Sequence, residues 1–171
     1  MTHKAQFSIE ETHKIALRPN NHLIAHSDGL GWHNLYSSVQ METPWEAVLR
    51  PVKHYCFAYC LSGSAIIHHS IDGGGAQTAM LLPRQFILSP AGLSLQLQVN
   101  GYPTILLVYI HRDVIDRVAM ECLNIDPRSV ELISRIASVD ALLEDLALSE
   151  LAELGRHERD SDLPQNLRSG V

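Results

Sequence analysis

The run Pro83-Arg84-Gln85-Phe86-Ile87-Leu88-Ser89-Pro90-Ala91-Gly92 contains a turn, a short apolar strand and a second turn. The Pro90 ring locks φ and stiffens the corner, and Gly92 permits a positive φ where the chain folds back. A tightly closed β-barrel requires a corner of this kind, so the run predicts a barrel strand between two tight turns.

Working upstream, Ala65 to Ile71 turns at Asp72-Gly73-Gly74-Gly75 into Gln77 to Leu82, the clearest hairpin of the chain. Gly63 breaks it from Lys53 to Leu61, a strand apolar on both faces. Pro44 and Pro51 bracket a segment that cannot donate fully to a ladder, so it reads as a loop or edge piece carrying Trp45. From Trp32 to Met41 residues alternate: Leu35, Val39 and Met41 fall on one face, and Asn34, Ser38 and Gln40 on a face expected to be wet. A first strand, 22–27, ends at Asp28-Gly29-Leu30-Gly31. Downstream, Leu93 to Val99 and Thr104 to Ile110 complete about eight strands, the spacing of a sandwich or small barrel, with edge closure favouring a barrel.

The period changes after His111. Val114, Ile115, Val118, Ala119 and Cys122 predict a helix over Arg112 to Leu123. A second helix, from Val139 to Leu154, carries a broad apolar stripe, with Ser138 as its N-cap and Gly155 as its stop. The expected organisation is a barrel over 1–111, a helical region over 112–155, and a linker or truncated end over 156–171.

A hydrophobic content of 46% in 171 residues fills a core without disulfide staples. The net charge of -6 disfavours free-standing nucleic-acid binding, which needs clustered Lys and Arg. The N-terminus lacks the apolar centre of a secretory signal, and the run Ile105 to Ile110 is far short of a membrane span. A cytoplasmic protein without membrane contact is expected. The cysteines, Cys56, Cys60 and Cys122, fit reduced thiols, since Cys56 and Cys60 on one strand would lie roughly 13 Å apart.

The Pro83–Gly92 run resembles the second half of the cupin signature. That resemblance implies a double-stranded β-helix, or jelly roll, mainly β with C-terminal α-helices. In metal-binding cupins a histidine ligand closely follows this turn, and an earlier strand supplies a His-x-His pair and a glutamate. Here Leu95 occupies the place of the late histidine, and the adjacent His68 and His69 point to opposite faces of their strand. No metal and no cofactor is therefore expected, although the chain has ten histidines.

No G-x-S-x-G elbow is present, and the Gly73–Gly75 run joins two strands instead of opening a helix, so neither a nucleophile nor a phosphate loop is indicated. The aromatic residues concentrate in the β half of a chain that is only 6% aromatic. Trp32, Tyr36, Trp45, Tyr55, Tyr59 and Phe86, with His69, are the candidate lining of a small-molecule pocket in the barrel.

With barrel and helices placed, the chain resembles the N-terminal effector-binding domain of AraC-family transcription regulators. Ser27-Asp28-Gly29-Leu30-Gly31-Trp32 with its following strand, Pro44-Trp45-Glu46, the Pro83–Gly92 turn and the leucine-rich helix carry the resemblance. It implies a small effector in the barrel, a homodimer formed through the helices, with Leu142, Leu143, Leu146, Leu151 and Leu154 as contacts, and DNA reading by a helix-turn-helix domain not in this chain. Both registers of the last strand are nearly apolar, which predicts a hydrophobic or aromatic effector. A non-enzyme is expected on these grounds, the alternative being a stand-alone metal-dependent cupin enzyme such as a dioxygenase or isomerase.

Overall fold

Runs of β-branched and aromatic residues between glycine and proline turns form strands throughout the first two thirds of the chain. The computed structural model describes residues 7–131 and 133–161. Its strands are β1 (His22–His26), β2 (Leu35–Met41), β3 (Trp45–Leu49), β4 (Tyr55–Ser62), β5 (Ala65–Ile71), β6 (Gln77–Leu81), β7 (Phe86–Ser89), β8 (Leu95–Gly101), β9 (Thr104–Ile110) and β10 (Arg135–Ser138). Two helices follow β9: α1 (Arg112–Glu121) before β10 and α2 (Ala141–Ser161) after it.

The strands form two antiparallel sheets, a larger one ordered β1-β2-β9-β4-β7-β10 and a smaller one ordered β3-β8-β5-β6. From β2 to β9 the chain crosses repeatedly between them, the winding of a jelly roll. Two glycines show why the corners need that residue. Gly92 has φ 81° and donates its N–H to the Val52 carbonyl at 2.8 Å. Gly63 has φ 73°, and a Cβ there would stand 2.6 Å from the Tyr102 carbonyl oxygen.

The larger sheet is covered on both faces. On its inner face Cys60, Ile105, Leu107 and Tyr109 pack against Ile67, Leu81, Leu97 and Val99 of the smaller sheet. On its outer face Phe57, Tyr59, Phe86, Leu106 and Val108 pack against Leu143, Ala147, Leu151 and Leu154 of α2. This double cover explains why β4 and β9 are apolar in both registers.

Several expectations need correction. The face of β2 read as wet is interior: Ser38 and Gln40 are buried, because that side faces the smaller sheet. Of the two readings of the segment between Pro44 and Pro51, loop or edge piece, the structure has the second, an edge strand paired with β8. The region 112–155 is not purely helical, since β10 pairs with β7 and extends the larger sheet. Ser138 ends that strand, and Asp140 caps α2 by accepting the Leu143 N–H at 3.1 Å. Helix α2 continues past Gly155 to Ser161. The expected linker therefore begins inside a helix, and its remainder, 162–171, lies outside the described residues.

The leucines assigned to a dimer also divide. Leu143, Leu151 and Leu154 are used on the sheet, whereas Leu142 and Leu146 are 68% and 53% exposed. Among the described residues no helix is long and apolar enough to cross a membrane.

Candidate functional site

The inner register of β4 carries small side chains, Cys56, Ala58 and Cys60, while sheets facing one another stand about 10 Å apart. Small residues leave that gap unfilled. A cavity of about 50 Å³ remains between the sheets, walled by apolar groups such as Ile67, Leu81, Ile87, Leu97 and Leu107. Ile15, 2% exposed, closes part of it from the N-terminal segment, whose 3-10 turn Ile15–Leu17 follows two residues at positive φ, His13 and Lys14.

One end of the cavity is polar. The Arg18 guanidinium carbon lies 3.5 Å from the Trp45 ring centroid, a cation–π stack. Its Nη1 is 3.8 Å from Glu42 Oε1, too long for a hydrogen bond, and is buried with no hydrogen-bond partner. Both Glu42 oxygens are occupied: Gln40 Nε2–H donates to Oε1 at 2.9 Å and Trp45 Nε1–H to Oε2 at 3.0 Å. Burial lowers the Arg18 pKa and the neighbouring Glu42 charge opposes that shift, so the group stays a cation beside an anion.

A second hydrogen-bonded line adjoins this pair. His13 Nε2 lies 3.0 Å from the Arg50 carbonyl and can only donate there, so Nδ1 accepts from Tyr109 Oη–H at 2.9 Å. Burial lowers the His13 pKa and raises that of Tyr109 well above the phenol value, while the Cys56 thiol is pushed up to about 12 by burial. All three are neutral near pH 7.

The candidate pocket residues are not brought together. Trp45 lines the cavity. Tyr36 sits in the inter-sheet core, its ring 6.3 Å from that of Tyr109. His69 is buried on the inward face of β5, its Nδ1 unpartnered, at a separate recess beside Gly74 and Gln77, while His68 faces out and bonds Thr78 at 2.8 Å. Trp32, Tyr59 and Phe86 belong to the outer cluster under α2, and strand alternation puts the buried Tyr55 on that same outer face. Tyr59 Oη–H donates to Glu144 Oε1 at 3.1 Å, and Arg84 grips the same carboxylate from Nε and Nη2 at 2.7 and 3.0 Å. Tyr59 and Phe86 hold the helix.

Arg18, Glu42, His13, Cys56 and Tyr109 were not anticipated. The one available signal was a Glu between β2 and Pro44, beside Trp45, in a stretch otherwise read as apolar strand and loop.

The metal implied by the cupin resemblance finds no matching donors. Among the described residues no three His, Cys, Asp or Glu side chains converge in a set that could hold an ion. His69 stands apart from Glu42, and both ring nitrogens of His13 are engaged.

No family model and no curated protein matches the chain. Solved structures do. The S161A mutant of Bacillus subtilis oxalate decarboxylase matches at TM-score 0.42 and 15% identity over 73% of this chain and 39% of its own. Clostridium difficile EutQ matches at TM-score 0.42 and 16% identity over 54% and 65%. The two antiparallel sheets and their jelly-roll winding make the fold cupin-like. Streptomyces albus HEPD, solved with 2-hydroxyethylphosphonate and Fe(II), matches at TM-score 0.38 and 17% identity over 46% and 18%. The chain spans 33–42% of the length of the decarboxylase chains it matches.

At these identities the likeness concerns the fold alone. It nonetheless corrects one expectation: oxalate decarboxylase and HEPD are enzymes on similar barrels, so the exclusion of an enzyme drawn from the sequence does not stand. The AraC-type expectation rests on its sequence resemblance alone.

Proposed function

We propose that this chain is a small-molecule-binding cupin domain whose ligand lies between the sheets with its polar end at Arg18. One observation carries the reading: a buried guanidinium N–H without a hydrogen-bond partner beside an apolar cavity. An unmade hydrogen bond to a charged donor is costly, and a bound ligand recovers it. The volume is about a third of the roughly 150 Å³ apolar cavity that takes benzene, so a molecule of a few heavy atoms fits as the site stands and an aromatic effector requires Ile15 to withdraw. Methyl NMR of Ile67, Leu81 and Ile87 during titration with small ketones, acids and alcohols tests this. Ile15→Ala should tighten binding of the larger homologues; unchanged inner methyl signals throughout would refute the reading.

The finer reading, resting on the sequence resemblance, is the sensing and dimerising half of an AraC-type regulator working in the cytoplasm, where Cys56, Cys60 and Cys122 stay reduced. Dimerisation would use the face of α2 that bears Leu142 and Leu146, and DNA would be read by a separate helix-turn-helix domain. Acidic residues support that separation: α2 carries Glu144, Asp145, Glu150 and Glu153, of which Asp145 and Glu153 are exposed. Fluorescence anisotropy should show no promoter binding by this chain at physiological salt; micromolar, salt-sensitive binding would place DNA recognition here.

A second reading, a cupin enzyme acting on the same ligand, is favoured by the His13–Tyr109 hydrogen bond at the cavity wall with Cys56 beside it, which sets titratable groups next to any occupant. Product formation from a bound ligand, followed by NMR, separates it from simple sensing. Its metal-dependent form needs more donors than the described residues bring together, and elemental analysis showing about one chelation-resistant metal per chain would favour it.

A further inference from the structure

Charge balance at the polar end of the cavity narrows the ligand further, on the condition that the cavity binds one at all. A buried arginine facing apolar space ordinarily suggests a carboxylate partner. Here the cation already has a neighbour of opposite charge, Glu42, 3.8 Å from Nη1. Among the described residues, the charged side chains lining the cavity are those two alone, since His13, Cys56 and Tyr109 are neutral there. What the pair lacks is a hydrogen-bond acceptor at Nη1, and no charge.

A second carboxylate would put two anions on one guanidinium in an apolar surrounding, with one left uncompensated or forced to take up a proton. An uncharged oxygen accepts the free N–H and leaves the balance intact. We propose that the ligand is a small, mostly apolar carbonyl compound, a ketone, aldehyde or amide, whose oxygen accepts from Arg18, and not a carboxylate. Arginine supplies donors only, so the ligand must bring the acceptor. The Trp45 stack fixes the guanidinium plane, and Glu42, held by Gln40 and Trp45, keeps its charge local.

The test uses probes of nearly equal shape: acetone, acetate and isobutene, titrated at pH 7 against the methyl-labelled chain. Acetone should bind about tenfold or more tighter than either of the others, the span of one charge-assisted hydrogen bond and of one unbalanced charge. Arg18→Met should equalise acetone and isobutene. Glu42→Gln should reverse the order of acetone and acetate, because the cation then has no counter-charge. Acetate binding more tightly than acetone to the unaltered chain, a comparison that needs no variant, overturns the neutral-ligand proposal and leaves the cavity reading standing. Silence of the inner methyls toward all three overturns the cavity reading itself.

Discussion

The two registers of β4 run side by side and do opposite work. Outward, Phe57 and Tyr59 stack with ring centroids 6.4 Å apart, and Phe86 joins them at 5.6 Å from Phe57 to seat α2. Inward, Cys56 and Ala58 leave the space that becomes the cavity. Large apolar side chains fill a gap and so build structure. Small ones leave a gap, and a site needs one. Trp32, Phe57, Tyr59 and Phe86 therefore marked the helix-binding face, while the candidate site lies where β4 is least bulky.

The sharpest way to break this contrast is Phe86→Ala. Truncating a fully packed aromatic under α2 should cost about 3–5 kcal/mol in urea unfolding, with acetone affinity in the remaining folded protein changed less than about twofold. A loss under about 1 kcal/mol would mean that the outer cluster does not hold the helix. On the inner register, Ala58→Val should cost at most about 1–3 kcal/mol yet abolish ligand binding, because its methyls occupy the cavity. Retained binding would move the ligand elsewhere.

Outside both registers, Leu146→Asp should change stability by less than about 0.5 kcal/mol, since the side chain is 53% exposed, and should turn a dimer into a folded monomer in light scattering. An oligomer unaffected by the change would remove this face of α2 from the interface.

An effect confined to the acid side is expected at the N-terminal cover of the inner cavity. The Ser8 backbone N–H, 2.8 Å away, and then His54 hold the Glu11 carboxyl at about 2, down from 4.5. A folded-state pKa below the unfolded one contributes stability that is complete above about pH 4.5 and is lost as pH falls toward 2. Glu11→Gln should flatten the stability profile in that window; an unchanged profile would show that the carboxylate does not fasten the cover.

Much of the fold was legible because its signals are local. Turn glycines and prolines delimit β5, β6 and β7, the change from period two to period three and four marks the start of α1, and a positive φ at Gly92 follows from the corner chemistry around Pro90. Strand β10 was not legible: four residues carry no period, and Ala137 takes φ 52° in a bulged pairing with β7. The site was hardly legible. Of the seven residues named for it, Trp45 alone lines the cavity.

By itself, then, the sequence determined the strands other than β10, the turns around them, the two helices and the apolarity of both faces of β4 and β9, since each depends on neighbours a few residues away. Only the tertiary structure decided which of those two faces meets the other sheet and which meets α2. Alternation separates two registers without saying which is inside when both are apolar. It also decided that Arg18, Glu42, Cys56 and Tyr109 would meet, because groups so far apart along the chain are brought together by sheet pairing and crossing and by nothing in their own local sequence.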